Sequence, residues 1–191
     1  DPERLKALDA LNILGSLEEK EYDSITKLAA AICETPVALV SLVACKQQFF
    51  KSRHGLEEKE TSIDVSFCKF AIEEEESIFI IEDTREDIRF KNNPLVTGEP
   101  FIVFYTGSPL VMNNGLVLGT LCVIDKKPRQ LNQLQIEALQ TLAKQVVQLL
   151  ELRKASIQLH ANKASLKHES ERLKNIIEAT EVGTWEWNVQ T

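Results

Sequence analysis

Hydrophobic and polar positions change their period along this chain of 191 residues. Over residues 2–34 the apolar positions recur at helical spacing, and they predict two helices that end near Leu11 and Glu34. Ser16 and Glu19 have the spacing of a capping box at the start of the second helix. The apolar face of that helix is predicted to contain Tyr22, Ile25, Leu28, Ala29 and Ile32. The chain is therefore expected to begin with helices that pack against another layer.

Between residues 37 and 124 the pattern is typical of β-strands. The run VALVSLVA, residues 37–44, is apolar on both faces, as in a central strand. Further strands are predicted in QFFKSR, SIFIIED, FIVFYTGSPLVM and LVLGTLCVI. Asn114-Gly115, between the last two, is a strong hairpin signal. A short helix is predicted at residues 66–76. Because strands outnumber crossover helices, we expect an α+β fold with a mostly antiparallel sheet.

A helix of unusual length is predicted after the last strand, since residues 129–182 contain no proline or glycine. Asn132 is a favourable N-cap, and Gln135 is placed to complete a capping box. The apolar stripe is broad as far as residue 150, which favours packing on a domain. Beyond that point one leucine recurs every seven residues, at Leu152, Leu159, Leu166 and Leu173.

A strict seven-residue repeat indicates packing against another long helix. The companion positions, three residues before each leucine, are Leu149, Ser156, Lys163 and Ser170, so three of the four are polar. Polar residues at such positions fix the register at a cost in stability. We therefore expect a weak, parallel homodimer through the C-terminal helix.

Composition narrows the class of protein. With 43% hydrophobic and 27% charged residues the chain can bury a core, and a net charge of −7 argues against a nucleic-acid partner. The four cysteines form no CxxC pair and are expected to be reduced thiols in a cytoplasmic protein. The longest apolar run, residues 36–45, is too short for a membrane segment. No metal, haem or bilin attachment signature is present, so the cofactor is left unassigned.

Several motifs together resemble one known family. FFKSRHGL, ETSIDVSFCKFAI, EDTREDIRFKNNPLVTGEP, FYTGSPLV and LGTLCVIDKKPRQL resemble the GAF domain, in the subgroup found in bacterial sensor histidine kinases and diguanylate cyclases. The resemblance implies a six-stranded antiparallel sheet with terminal helices on one face and a ligand pocket on the other. Residues 175–191 resemble the truncated start of a PAS domain, with Trp185 and Trp187 on its first strand. The expected organisation is a GAF domain at 1–153, a signalling or coiled-coil linker helix at 154–174 and the start of a PAS domain at 175–191.

The resemblance implies a non-catalytic sensory module in a longer bacterial signal-transduction protein. Such a module detects a small molecule and passes a conformational change through its C-terminal helix to the PAS domain. The output beyond it is expected to be a diguanylate cyclase or a histidine kinase. Two alternatives stay open: a GAF-type thiol redox enzyme similar to methionine sulfoxide reductases, and a ligand-free dimerisation spacer. The spacer stays open because Phe70 and Val103 stand where many relatives have polar residues.

Polar and aromatic residues in the loop of residues 83–100 lie beside a mainly apolar sheet, which is the usual composition of a small-molecule pocket. The candidate pocket residues are Arg53, Cys68, Phe70, Asp83, Arg89, Phe90 and Tyr105. Another interpretation fits equally well, in which Arg89 pairs with Asp83 or Asp87 and fixes the loop.

The remaining chemistry-bearing residues are interpreted structurally. Cys122 lies inside a predicted strand with no histidine nearby in sequence, so it is expected to be a small core residue. Asp125, at the end of that strand, is expected to cap a turn. Cys68 is also expected to be buried and inert, because free cysteines usually are. No catalytic residue is assigned, and no thiol chemistry is expected.

Overall fold

The structure is a computed structural model that describes residues 2–73 and 78–180. The helices are α1 (Pro2–Ala10), α2 (Lys20–Cys33), α3 (Cys68–Ala71), α4 (Pro94–Thr97) and α5 (Gln133–Thr180), with a 3-10 turn at Ile63–Val65. The strands are β1 (Val37–Val43), β2 (Gln47–His54), β3 (Glu60–Ser62), β4 (Phe79–Ile81), β5 (Phe104–Val111) and β6 (Val117–Asp125). They form one six-stranded sheet in the order β3-β2-β1-β6-β5-β4. All neighbouring strands are antiparallel, which confirms the predicted α+β fold.

The sheet separates two hydrophobic clusters, one on each face. Helices α1 and α2 and the first part of α5 cover one face, where Leu8, Tyr22, Leu121 and Leu139 are buried together. The other face lies under α3, α4 and their loops, and its cluster includes Leu39, Phe50, Phe67, Phe79, Phe90 and Tyr105. Strand β1 contributes to both clusters. Its run of apolar residues is therefore that of a central strand, as predicted.

The predicted capping box at Ser16 and Glu19 is wrong. Helix α2 begins at Lys20, and Glu19 precedes it without a side-chain capping bond. Both side chains bind Lys51 of β2 instead: its Nζ donates to Ser16 Oγ at 2.8 Å and to Glu19 Oε1 at 2.6 Å. Lys51 Nζ also donates to the carbonyl oxygen of Leu17 at 2.6 Å. A fully buried ammonium group needs such partners, and its requirement outweighs a local cap.

The apolar face predicted for α2 is correct only in part. Tyr22 and Ala29 are buried, but Leu28 is 48% exposed. Thr26 is buried in its place, where its Oγ1 lies 2.9 Å from Ser52 Oγ of β2. The helix thus meets the sheet through small and polar side chains as well as apolar ones.

The predicted start of α5 is confirmed. Gln135 N donates to Asn132 Oδ1 at 3.0 Å, and Asn132 N donates to Gln135 Oε1 at 3.1 Å. These reciprocal bonds form the expected capping box. The chain divides into two compact units, residues 1–152 and the part from residue 153 onward. In the first unit α5 buries Leu139, Ala143, Val146 and Leu150.

In the second unit the structure describes only the continuation of α5. The repeat begins at Leu152, the last residue of the first unit, and continues through the second unit. Its leucines are all more than half exposed, namely Leu152, Leu159, Leu166 and Leu173. The described residues include no helix with both the length and the apolarity needed to cross a membrane. The strand predicted around Trp185 and Trp187 lies outside the described residues.

Three further elements differ from the sequence-based prediction. Strand β3 was not predicted; it pairs with the start of β2, with Gln48 opposite Thr61. Helix α3 is shorter than predicted, and residues 74–77 of the acidic run lie outside the described part of the chain. The long loop contains the short helix α4, capped by Asn93 Oδ1, which accepts from the backbone N–H of Leu95 at 2.9 Å. The predicted β5–β6 hairpin is confirmed, with Gly115 in the turn at φ +83°.

Candidate ligand cavity

A cavity of about 1010 Å³ lies on the face of the sheet covered by α3 and α4. This volume is at the upper end of the range for small-molecule sites, roughly 300–1,000 Å³. Its walls are mainly apolar and come from β1, β2, β5, β6 and the flanking loops. The main apolar lining residues are Val37, Leu39, Phe50, Phe67, Ile102 and Ile124.

Charged residues of both signs form another part of the lining. The acidic side chains are Glu34, Glu57, Glu58, Glu99 and Asp125, and the basic ones are Lys126, Lys127 and Arg129. Asp125 ends β6 and accepts a hydrogen bond from the backbone N–H of Lys126 at 2.6 Å, as expected of a residue that caps a turn. Its carboxylate also pairs with Arg129. A ligand in the cavity would therefore meet apolar walls together with both carboxylates and cations.

A cluster of polar side chains converges on the sulfur of Cys68, which also lines the cavity. Tyr105 OH donates to Cys68 Sγ at 3.1 Å, Thr120 Oγ1 at 3.1 Å and Gln48 Nε2 at 3.2 Å. These donors come from β5, β6 and β2, so distant parts of the chain fix the position of one thiol. Ser66 Oγ donates to Gln48 Oε1 and orients its amide group.

The protonation of two neighbouring thiols in this cluster differs. Burial raises the pKa of Cys68, but hydrogen bonds from Cys122, Thr120 and Tyr105 outweigh burial and lower that pKa to about 6. For Cys122 the effect is opposite: the hydrogen bond with Cys68 raises the pKa of Cys122 well above the usual range, and burial raises it further. Burial and the adjacent sulfurs likewise raise the pKa of Tyr105. Cys68 is buried as expected, but its surroundings are polar.

Two of the predicted pocket residues, Cys68 and Tyr105, line the cavity. Phe70 and Phe90 belong to the adjacent aromatic cluster, where their ring centroids are 4.9 Å apart in an edge-to-face arrangement. They are not among the residues that line the cavity. Their placement supports the cavity wall without providing its surface.

The charged candidates also lie away from the cavity lining. Arg53 Nη2 pairs with Glu18 Oε1 at 2.8 Å. Arg89 Nη2 pairs with Asp87 Oδ2 at 2.6 Å, and its guanidinium lies 5.0 Å from the centroid of the Phe79 ring. The structure thus has the alternative arrangement, in which Arg89 fixes its own loop.

Asp83 forms a similar local pair. Its Oδ2 lies 2.5 Å from Arg85 Nη2, and that hydrogen bond lowers the pKa of Asp83. Asp83 was expected near the ligand or near Arg89. It is not among the residues that line the cavity, and its described ion pair is with Arg85. The loop of residues 83–100 satisfies most of its charges within itself.

Sequence reasoning missed Gln48, Ser66 and Thr120 as parts of the site. A signal existed, because residues two positions apart in a strand lie on the same face of the sheet. Thr120 and Cys122 have this spacing in β6, and Gln48 and Phe50 have it in β2. The period of two does not by itself tell which face carries the cavity. That assignment requires the position of α3.

Comparison with known proteins identifies the family. The GAF domain model matches residues 18–150, and the chain belongs to the GAF domain family. A cyclic di-GMP phosphodiesterase of Pseudomonas aeruginosa is 39% identical over 122 residues. The match covers 64% of this chain and 21% of the relative, so the chain spans about a fifth of that protein's length.

Solved structures share the fold at low sequence identity. The GAF domain of an Acinetobacter phosphoenolpyruvate-protein phosphotransferase superposes with a TM-score of 0.60 at 20% identity, covering 80% of this chain and 93% of that one. A domain of a two-component sensor histidine kinase protein from Sinorhizobium meliloti gives 0.58 at 16% identity, covering 74% and 97%. The free methionine-R-sulfoxide reductase of Neisseria meningitidis gives 0.58 at 11% identity, covering 78% and 89%. These likenesses establish the fold.

Proposed function

We propose that this chain is the sensory module of a multidomain bacterial signal-transduction protein located in the cytoplasm. A small molecule binds in the cavity, and the resulting conformational change passes through α5 to a PAS domain and an output domain. The observation that carries the proposal is the cavity of about 1010 Å³, with apolar walls and charged residues of both signs. The same observation favours ligand binding over a ligand-free spacer.

The output domain is inferred from the relatives. The Pseudomonas aeruginosa protein similar to this chain is a cyclic di-GMP phosphodiesterase, and one solved domain with the same fold comes from a sensor histidine kinase protein. We therefore propose an output that either turns over cyclic di-GMP, as a cyclase or a phosphodiesterase, or transfers phosphate as a histidine kinase. In each case this module itself is non-catalytic.

Binding in the cavity is tested by thermal unfolding with and without individual metabolites. A ligand present at about 100 times its Kd should stabilise the domain by about 2.7 kcal/mol. Ile124→Trp should abolish the stabilisation, because Ile124 is half-buried against the cavity and a larger side chain there fills it. Leu134→Trp is the matched control, since Leu134 is exposed and outside the cavity lining.

The proposed cavity function would be contradicted in either of two ways. A broad set of nucleotides, amino acids and organic acids could leave the melting temperature of the wild-type chain unchanged. A stabilising metabolite could also act equally on the Ile124→Trp variant, which would place its site elsewhere. The cavity is supported if the metabolite stabilises the Leu134→Trp variant but does not stabilise the Ile124→Trp variant.

We also propose that the C-terminal part of α5 forms a parallel dimer. The support is the exposed leucine repeat, in which Leu159 is 67% and Leu166 is 68% exposed within one chain. Burying a leucine side chain contributes about 1.5–3 kcal/mol. Leu159→Asp together with Leu166→Asp should therefore weaken association by about a hundredfold or more, since each 1.4 kcal/mol is about tenfold.

Sedimentation at tens of micromolar protein measures this effect. The control is Gln158→Asp with Ser165→Asp, which adds the same charges one position earlier in each heptad. The control should sediment as the wild-type dimer does. Identical monomeric behaviour of the wild type and the leucine variant would refute the dimer and would leave the cavity proposal intact.

A further inference from the structure

Two cysteines from distant parts of the sequence meet in the cavity. Cys68 begins α3 and Cys122 lies within β6, two positions from Thr120, whose Oγ1 lies 3.1 Å from the Cys68 sulfur. Residues two positions apart in a strand share a face, so Cys122 lies on the side of β6 that faces Cys68. Both line the cavity, although only 1% of Cys68 and 0% of Cys122 is exposed to solvent. The other two cysteines are elsewhere: Cys33 packs in the core on the opposite face of the sheet, and Cys45 is exposed. The chain therefore contains one cysteine pair and two internal controls.

The surroundings of Cys68 are unusual for a cysteine that only fills space. An inert buried thiol normally lies among apolar groups. Here three hydrogen-bond donors, from Tyr105, Thr120 and Gln48, lie 3.1 Å, 3.1 Å and 3.2 Å from the sulfur. Donors of this kind stabilise a charged sulfur more than a neutral one. The cluster is thus built to hold a thiolate.

A spare hydroxyl lies in the same cluster. Ser41 of β1 is opposite Thr120 of β6, on the cavity side of the sheet. Its Oγ is fully buried and has no hydrogen-bond partner among the described residues, although its hydroxyl lies near enough to Cys68 to favour the thiolate. A buried hydroxyl without a hydrogen-bond partner destabilises the folded state. An oxygen atom added to the Cys68 sulfur would give it a partner.

We propose that Cys68 and Cys122 form an oxidisable pair, in which a hydroperoxide small enough to enter the cavity oxidises Cys68 and Cys122 then closes a disulfide. The Cys68 thiolate attacks one peroxide oxygen and the O–O bond breaks. Hydroxide or alkoxide leaves, and the sulfur, oxidised by two electrons, becomes a sulfenic acid. The Cys122 sulfur next attacks the Cys68 sulfur and the S–O bond breaks. The oxygen leaves as water with the Cys122 proton, while the peroxide has been reduced to water or an alcohol.

The protonation states of the two sulfurs indicate which cysteine reacts first with the peroxide and which closes the disulfide. Hydrogen bonds lower the pKa of Cys68 to about 6, so that it is the attacking thiolate at neutral pH. The pKa of Cys122 is raised, so that it remains a thiol and retains the proton that leaves with water. This inference goes beyond the proposed ligand-binding function, because oxidation of the pair needs no bound ligand. A disulfide would join α3 to β6 and thereby alter the cavity wall.

Peptide mapping of the whole chain tests the proposal. After stoichiometric hydrogen peroxide, remaining thiols are alkylated in denaturant and the protein is cleaved with trypsin. Cys68 lies in peptide 60–69 and Cys122 in 92–126, whereas Cys33 and Cys45 share 28–46. The expected product is 60–69 linked to 92–126. Alkylated Cys68 and Cys122 beside oxidised Cys45 would overturn the proposal, and this result requires no variant to fold.

Variants then separate the two steps. In Cys122→Ser the disulfide cannot form, so Cys68 should be trapped by dimedone as its sulfenic acid adduct. Cys45→Ser is the matched control, and it should give the same cross-link as the wild type. Tyr105→Phe removes one hydrogen bond to the thiolate and should raise the pKa of Cys68 by about one unit, so the midpoint of the pH dependence of oxidation should move up by about one pH unit. Failure to trap an adduct in Cys122→Ser, or an unchanged pH dependence in Tyr105→Phe, would count against Cys68 as the reacting thiolate.

Discussion

Gly119→Ala is expected to destabilise the domain by roughly 3 kcal/mol or more, at the upper end of the usual cost of overpacking a core. Gly119 lies in β6 opposite Leu42 of β1, at the centre of the sheet. A Cβ atom at this position would lie 1.9 Å from the Ser41 carbonyl oxygen and 2.9 Å from the Leu42 Cα atom. Both obstacles are backbone atoms of a central strand, so no side-chain rotation relieves the clash.

Thermal unfolding followed by circular dichroism measures the effect. A change of 1 kcal/mol shifts the melting temperature of a domain of this size by about 2–4 °C, so a fall of roughly 6–12 °C or more is expected. The control is Gly115→Asn, at a hairpin position with φ +83° and no atom within 4 Å of the added Cβ. Asparagine tolerates this backbone conformation, and the control should melt close to the wild type. Equal melting of Gly119→Ala and wild type would show that β1 and β6 are further apart than described.

Lys51→Met is expected to destabilise the domain by about 2–4 kcal/mol, somewhat less than the 3–5 kcal/mol typical when one partner of a buried ion pair is removed. The Lys51 side chain is 0% exposed, whereas that of Glu19 is 35% exposed, so water can partly solvate the abandoned carboxylate. The methionine leaves Ser16 Oγ and the Leu17 carbonyl without their donor. The segment that joins α1 to α2 loses its attachment to the sheet.

Urea unfolding measures the loss, and amide hydrogen exchange of residues 11–19 locates it. Lys59→Met is the matched control, because Lys59 is exposed and surface substitutions usually change stability by less than about 0.5 kcal/mol. The interpretation of Lys51 as a structural anchor would fail if both variants unfolded at the same urea concentration. It would also fail if residues 11–19 exchanged no faster in Lys51→Met.

Local signals in the sequence were reliable where no distant residue competed for the same groups. The capping box at Asn132 and Gln135 formed as predicted, and so did the hairpin at Asn114-Gly115. Ser16 and Glu19 have the same local spacing as Asn132 and Gln135, yet a lysine more than thirty positions away took both side chains. A buried charge imposes a stronger requirement than an exposed backbone N–H.

The site was less predictable than the fold. Of the predicted pocket residues, Cys68 and Tyr105 line the cavity, while Arg53, Asp83 and Arg89 pair with other residues away from its lining. Asp83 and Arg89 lie in one loop and each pairs with a residue two positions away, which orders less side chain than a pair formed across a cavity. Arg53 pairs with a distant residue, Glu18, which the local sequence does not indicate. The alternation of strand residues indicates a shared face, but only the tertiary position of α3 shows which polar side chains meet.

The segment that follows β6 gives the cavity a short mechanical link to α5. Asp125 lies in the cavity lining and Asn132 caps α5, so only residues 126–131 separate the two. The basic residues of the lining are all within this segment, and Arg129 N also donates to the Glu82 carbonyl oxygen at 3.3 Å. Under the proposed function, a ligand that draws these cations inward would pull on the first turn of α5 through the covalent chain itself. The signal would then be tension along the few peptide bonds of this segment. Glycines inserted between Arg129, the last lining residue of the segment, and Asn132 should release that tension while leaving ligand affinity in place.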